Sequence, residues 1–530
     1  MVNRRRLLQA SVAALPGIGP VYGAVSAVSA GLSPEQAAAH ALNRLGFGPR
    51  PGDLASVARD PRAWIAQQLQ PHTLALPDGL TMKLQEAQIV EADPIATVRE
   101  FNGLVQQNLL PGNAAQRAEA GDGQPAMAQQ QNLPPQPTAL GLFVRGHQRP
   151  ALESRLFRAL ESPRQLEEAM VDFWFNHFNV YQNKNYLRVL VGHYEHYAIR
   201  PFALGRFRDL LGATAHHPAM LYYLDNWASA GPQPGNGSRG LNENYARELM
   251  ELHTLGVDGG YAQQDVTQLA RMLTGWSLVP LRPRMGAAAP AVQMMPPGRS
   301  DTMPGFWFNP RQHDMGDKTW LGYRVAQQAK AEGDFALDVL ARHPATARHI
   351  GFKLAQYFVS DQPDPALVEH LAQVFLAEDG QTVPVLRALF SSPAFWAPEN
   401  SASKFKTPYH YVLSALRAGG FTLANGQPLV GHLAAQGMPL FGCQTPDGYH
   451  NTEVAWLNPD ALTKRLNFAT QVASGRLAQA SLTGGVPVDQ LLEQLGPLVT
   501  PATRSLAMQN RDNPSVALAL VLAGPGMMRR

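Results

Sequence analysis

A single cysteine, Cys443, stands in 530 residues. That excludes internal disulfides, cysteine-rich zinc sites, cysteine-bound iron–sulfur clusters within the chain and covalent c-type haem, which needs C-x-x-C-H. Any metal would have to rest on His, carboxylate and amide groups. Cys443 lies in a Gly/Pro-rich stretch with no helix N-terminus or basic neighbour to lower its pKa, so it reads as inert. Charge of one sign is also scarce. The formal net charge is +3, from 44 Lys and Arg against 41 Asp and Glu, and no helix or tail concentrates the basic residues. Nucleic acid is thereby an unsuited partner. Long apolar runs are missing as well. The stretch up to residue 30 is broken by Pro16 and Pro20, and the apolar run 516–528 is too short to span, so no transmembrane anchor is expected.

What is present is 45% apolar residues with 46 Gly and 43 Pro. This describes a globular protein with a sizeable core and long loops. Helical periodicity dominates, and the expected class is mainly α: a large multi-helix domain with Pro/Gly-rich loops and at most short strands. Residues 1–30 read as a twin-arginine export signal, from Arg4, Arg5 and Arg6 ahead of a weakly apolar stretch and small residues. The expected location is periplasmic or extracellular. Residues 31–110 form an N-terminal helical part, opened by Ser33, Pro34 and Gln36 as cap, N1 proline and capping-box partner. Residues 111–139 read as a disordered, Gln/Ala/Pro-rich insertion, 140–279 as the central helical core, 280–305 as a low-complexity loop and 306–530 as a C-terminal helical part.

The chemistry concentrates in residues 240–276. A regular helix is expected from Glu243 to about Leu255, with Asn242 as cap and Gly256 as stop. Tyr245, Leu249 and Leu252, with Ala246 and Met250 beside them, would face the core, leaving Asn244, Arg247, Glu248 and Glu251 on one polar arc. Such an arc suits a metal site, a proton-transfer site or a buried ion-pair network. His253 is rotated away from both carboxylates on a regular helix and reads as a last-turn residue facing the C-terminal carbonyls. Asp265 reads as the cap of a second helix starting near Gln264. His177 falls on the buried face shared by Leu166, Met170 and Phe173, with Asn176 and Asn179 beside it. His193 and His196, three apart around Glu195, have a chelating spacing of low specificity.

The motifs at residues 42–49 (LNRLGFGP), 173–179 (FWFNHFN), 242–261, 265–276, 308–322 and 343–359 together resemble the family catalogued as domain of unknown function 1800. One departure is Ala262, where the family usually has Thr or Ser as a cap. The resemblance implies a mostly helical fold and an envelope or extracellular location. Its members are frequently encoded beside a second exported protein that resembles the alkaline phosphatase and sulfatase superfamily, which implies a co-exported partner. It implies no activity, cofactor or catalytic residue. Two readings stay open. One is a metal-dependent or acid–base enzyme of the envelope, with Glu248, Glu251, Arg247 and Asn244 lining a cleft and His177 or His313 completing it. The other is a non-catalytic helical scaffold or accessory factor, in which the same charges form a structural network.

Overall fold

Helix starts carry their caps in the sequence, and the chain folds accordingly. Ser33 Oγ accepts the Gln36 N–H at 3.3 Å while Gln36 Oε1 accepts the Ser33 N–H at 2.9 Å, opening helix Pro34–Arg44. The reciprocal pair satisfies two N–H groups that the first turn leaves free. His217 and His343 each precede a proline, and each Nδ1 accepts an N–H two residues on, from Ala219 at 3.0 Å and Ala345 at 3.1 Å. These caps start helices Pro218–Tyr223 and Pro344–Phe358.

The computed structural model describes residues 31–87, 93–109, 138–232, 240–281, 303–326, 328–477 and 482–530. The expected export signal lies outside them, as does nearly all of the two expected low-complexity segments. Residues 32–530 make one unit, and it is mainly α. Among the described residues the strands are two or three residues long and pair antiparallel as two-stranded ribbons. Phe306–Phe308 pairs with Trp276–Leu278, and Thr319–Trp320 with Tyr323–Arg324.

The core is built around helix Gln165–His177, which is buried along nearly its whole length. Leu166, Ala169, Met170, Phe173 and Trp174 are each at most 4% exposed, and burying one such large side chain contributes roughly 1.5–3 kcal/mol. Tyr357 meets Phe173 edge-on at 5.4 Å, seating helix Pro344–Phe358 on this element. The N-terminal and C-terminal parts share the same core. Arg417 of helix Pro408–Ala418 donates to the Gly48 carbonyl and to the Leu160 carbonyl, each at 2.7 Å.

Helix Ala139–Glu161 is capped by Thr138 on the Gly141 N–H at 3.1 Å and runs through Pro150. One element departs from expectation: the helix of residues 244–253 is not regular. Asn244–Glu248 is α, and Leu249–His253 widens into a π turn. Thr254 Oγ1 donates to the Leu249 carbonyl at 2.6 Å, and the Gly256 N–H reaches the Met250 carbonyl at 3.2 Å. Wider winding rotates less per residue. His253 is therefore carried into the core while Leu252, expected there, is left half-buried.

Charge is buried as well. Arg155 donates to Asp172 at 2.5 Å and to Glu195 at 2.9 Å, and Arg200 grips Glu168 through two bonds of 2.8 and 2.9 Å. Glu195 begins a second π turn, Glu195–Ile199. Removing one partner of such a network costs about 3–5 kcal/mol, because the remaining charge keeps its desolvation penalty. Buried imidazoles add a pH term. Burial pushes His40, His193 and His253 down to about 3 each. A His whose folded pKa lies below its unfolded value of about 6.5 stabilises the fold fully above that pH and loses the contribution as pH falls toward the folded value.

Two outcomes follow. Arg155→Met should lower unfolding free energy by about 3–5 kcal/mol in denaturant titration, whereas Arg348→Met, on an exposed pair with Glu369, should change it by less than about 1 kcal/mol. Stability should also fall as pH drops from 6.5 toward 3, each such histidine contributing up to about 1.4 kcal/mol per pH unit. A flat profile over that window would contradict the buried neutral state.

Candidate functional site

The motif FNHFN closes helix Gln165–His177, and its two asparagines face a loop more than 260 residues away. Asn176 Nδ2 donates to the Tyr449 carbonyl at 2.8 Å, and Asn176 Oδ1 accepts the Tyr449 N–H at 2.7 Å. Asn179 Nδ2 donates to the carbonyls of Cys443 at 3.1 Å and Thr445 at 2.8 Å. Gln182 adds its backbone N–H to the Phe441 carbonyl and its side chain to the Leu440 carbonyl, both at 2.9 Å. A loop without regular structure has backbone groups to satisfy. Here the amide side chains of one motif satisfy them. Gly448 completes the fit, since it holds φ +74° and an added Cβ would overlap the Asn176 carbonyl oxygen.

The pinned loop walls a cavity of about 100 Å³ whose lining includes Asp172, His177, Lys353, Tyr357, His410 and Asp447. His177 is 3% exposed. Its Nε2 donates to the His253 carbonyl at 3.1 Å, so Nδ1 carries the lone pair of the neutral ring, and Nδ1 has no partner among the described residues. Burial, then Lys353, His349 and His253, hold the ring neutral by pushing its pKa well down. The rings of His253 and His349 stand 6.2 and 6.1 Å from it. Lys353, four residues after His349 on helix Pro344–Phe358, is itself lowered by burial, with Asp447 opposing. At the inner end, Arg530 donates to His410 Nε2 at 2.7 Å, which leaves His410 Nδ1–H to donate to Thr407 Oγ1 at 2.9 Å. The Tyr357 hydroxyl lies 3.3 Å from Asp172 and 3.2 Å from His410.

The residues singled out in the sequence separate into two groups. His177 lines the cavity; Asn244, Arg247, Glu248 and Glu251 are not among its lining residues. Arg247 sits 3.4 Å from Glu243 and 3.6 Å from Glu251, and donates to Gln263 at 2.8 Å. Asn244 is exposed, 3.5 Å from the Leu224 carbonyl. Glu248 has no hydrogen bond or ion pair among the described residues. Its pKa is raised by burial and by the like charges of Glu251 and Asp447, which places it electrostatically beside the cavity loop. Asp265 caps as expected, accepting the Ala262 N–H at 2.9 Å and the Leu321 N–H at 3.0 Å. The carboxylate half of the box thus works although Ala262 lacks a hydroxyl.

His313 belongs to another network, 3.4 Å from Glu332 and 2.8 Å from the Thr274 carbonyl. His193 meets His217 at 2.9 Å, while Glu195 turns to Arg155. Among the described residues no group of three or more His, Cys, Asp or Glu side chains has the placement to hold a metal ion. Cys443 is buried, and burial raises its thiol pKa.

Lys353, Asp447, Tyr357 and His410 were not singled out as site residues. Lys353 had one available signal: a lysine interrupting a helix whose Ile350, Leu354, Tyr357 and Phe358 are all buried.

A family model described as "Protein of unknown function (DUF1800)" matches residues 40–529. No curated protein and no solved structure matches the chain.

Asn176→Ala should free the Tyr449 backbone and cost about 2–4 kcal/mol, from two bonds to a partly buried peptide. Asn176→Asp should be worse above the carboxylate pKa, because it sets an oxygen against the Tyr449 carbonyl in place of the N–H. Amide hydrogen exchange should then quicken across 441–452; unchanged protection there would disprove the anchoring role.

Proposed function

We propose that this chain, which belongs to the DUF1800 family, is an exported acid–base enzyme of the cell envelope whose chemistry takes place in the His177 cavity. One observation carries the reading: a neutral, almost fully buried imidazole whose Nδ1 lone pair has no partner among the described residues lines a cavity that also holds Lys353 and Asp447. A buried acceptor without a donor costs about 1–3 kcal/mol. A bound group that donates a hydrogen bond there would offset that cost. The acid–base form is favoured over the metal-dependent one because the histidines and carboxylates of the described residues are dispersed among separate networks. The cavity admits only a small molecule, with room for a few water-sized groups.

A second reading, an accessory factor for a co-exported partner, draws on a different surface. An open groove of about 820 Å³ runs between Gly256 and Pro365, with Val257 72% and Phe352 39% exposed. Exposed apolar side chains of this kind suit a protein partner.

A panel of small polar metabolites screened by thermal shift separates the two. Under the enzyme reading at least one compound raises the melting temperature of the wild type and not of His177→Gln, which keeps the ring's volume closely but lacks the basic nitrogen. No stabilising compound, or equal stabilisation of both proteins, would overturn it. Pull-down of the co-exported protein, lost on Phe352→Ser, would move support to the second reading.

A further inference from the structure

We propose that Lys353 is an amine nucleophile that forms an imine with a small aldehyde or ketone in the His177 cavity, with His177 Nδ1 relaying the proton; this rests on the acid–base reading of the same cavity.

The first support is what Lys353 lacks. Every other lysine of the described residues has a polar partner. Lys83 pairs with Glu161 at 2.6 Å, Lys184 with Asp225 at 2.8 Å, Lys318 with Glu332 at 2.8 Å and Lys330 with Asp334 at 2.6 Å. Lys404 pairs with Asp361, Lys464 with Asp460 at 2.6 Å, and Lys406 donates to Ser414 at 2.7 Å. Lys353 alone among them has neither a hydrogen bond nor an ion pair, and it lines a cavity. A lysine kept for structure finds a carboxylate, or in the case of Lys406 a hydroxyl. One kept for its lone pair must not.

The second support is its surroundings. His177, His253 and His349 are all held neutral by burial, with Lys353 named among the charges that lower each. Burial also favours the uncharged amine of Lys353, with the Asp447 carboxylate as the opposing charge. Desolvation without a close counter-ion is the standard route to a nucleophilic lysine. Asn451 and Thr452 line the same space as neutral polar groups, and Asn451 Oδ1 is buried without a partner among the described residues.

The step balances without a further reagent. The uncharged Lys353 amine adds through its nitrogen to the carbonyl carbon. A C–N bond forms while the carbonyl π pair moves to oxygen. The oxygen takes one proton from the attacking nitrogen directly and the other through His177, which accepts it from that nitrogen and passes it on. The oxygen then leaves as water as the C–O bond breaks, giving the imine. Amine and carbonyl compound become imine and water.

The test uses the full chain with acetaldehyde, glyoxylate and pyruvate, each with and without sodium cyanoborohydride at pH 7, followed by peptide mass mapping. At least one compound should leave a reduced adduct on Lys353 at a rate ten-fold or more above that on the exposed-side Lys464. The adduct should vanish in Lys353→Arg, which keeps the charge, and slow ten-fold or more in His177→Gln. Adducts spread over the lysines at similar rates, with Lys353 unremarkable, would overturn the proposal; mapping on the wild type decides this even where a variant fails to fold. A compound that stabilises the wild type but not His177→Gln and leaves no adduct on Lys353 would sink the imine while leaving the acid–base reading standing. Neither stabilisation nor adduct would remove both.

Discussion

The two-point pairing between the Asn176 side chain and the Tyr449 peptide joins the deeply buried helix Gln165–His177 to a loop 273 residues later. A primary amide matches a peptide group donor for acceptor and acceptor for donor, so it can hold an irregular loop as a neighbouring strand would. The match tolerates neither a carboxylate at 176 nor a side chain at 448. Held in this way, the loop closes one wall of a cavity that Lys353, Gln356 and Tyr357 of helix Pro344–Phe358 also line. His177 and Lys353 owe their seclusion from water to that closure, and the seclusion disfavours the charged form of each.

Behind the cavity lies an expensive polar interior. Arg155, Asp172, Glu195, Glu168 and Arg200 form close buried pairs, and Asp172 continues through Tyr357 to His410 and Arg530. Apolar residues of similar volume would be as stable or more so. The chain instead fixes hydrogen-bond direction at each step: Arg530 donates, His410 accepts at Nε2 and donates at Nδ1, Thr407 receives. The inner end of the cavity is thus orientationally locked, whereas His177 Nδ1 and Lys353 are left with capacity to spare.

Local chemistry was legible in the sequence and distant pairing was not. Ser33 with Gln36, Asp265, and Gly256 at φ +82° do what their residue types dictate within a turn of chain. The helical class and the burial of His177 follow from periodicity. The π turn at Leu249 was missed because a hydroxyl at Thr254 and a late N–H at Gly256, not the apolar pattern, decide the winding. That one difference exchanges His253 for Leu252 in the core. Asn176 and Asn179 were visible beside His177, and residues 441–449 stood out as a Gly/Pro-rich stretch, yet nothing in either states that they bond each other. Lys353 is legible only after folding, since its distinction is the absence of a partner.

The protonation of His177 tests the account most directly. Selective 15N-histidine labelling with long-range NMR correlation, comparing wild type and His177→Gln to assign the ring, reads both nitrogens from pH 5 to 8. The account predicts one state throughout: neutral, with hydrogen on Nε2 and the lone pair on Nδ1. A ring that titrates near 6.5, or that carries its hydrogen on Nδ1, would contradict it.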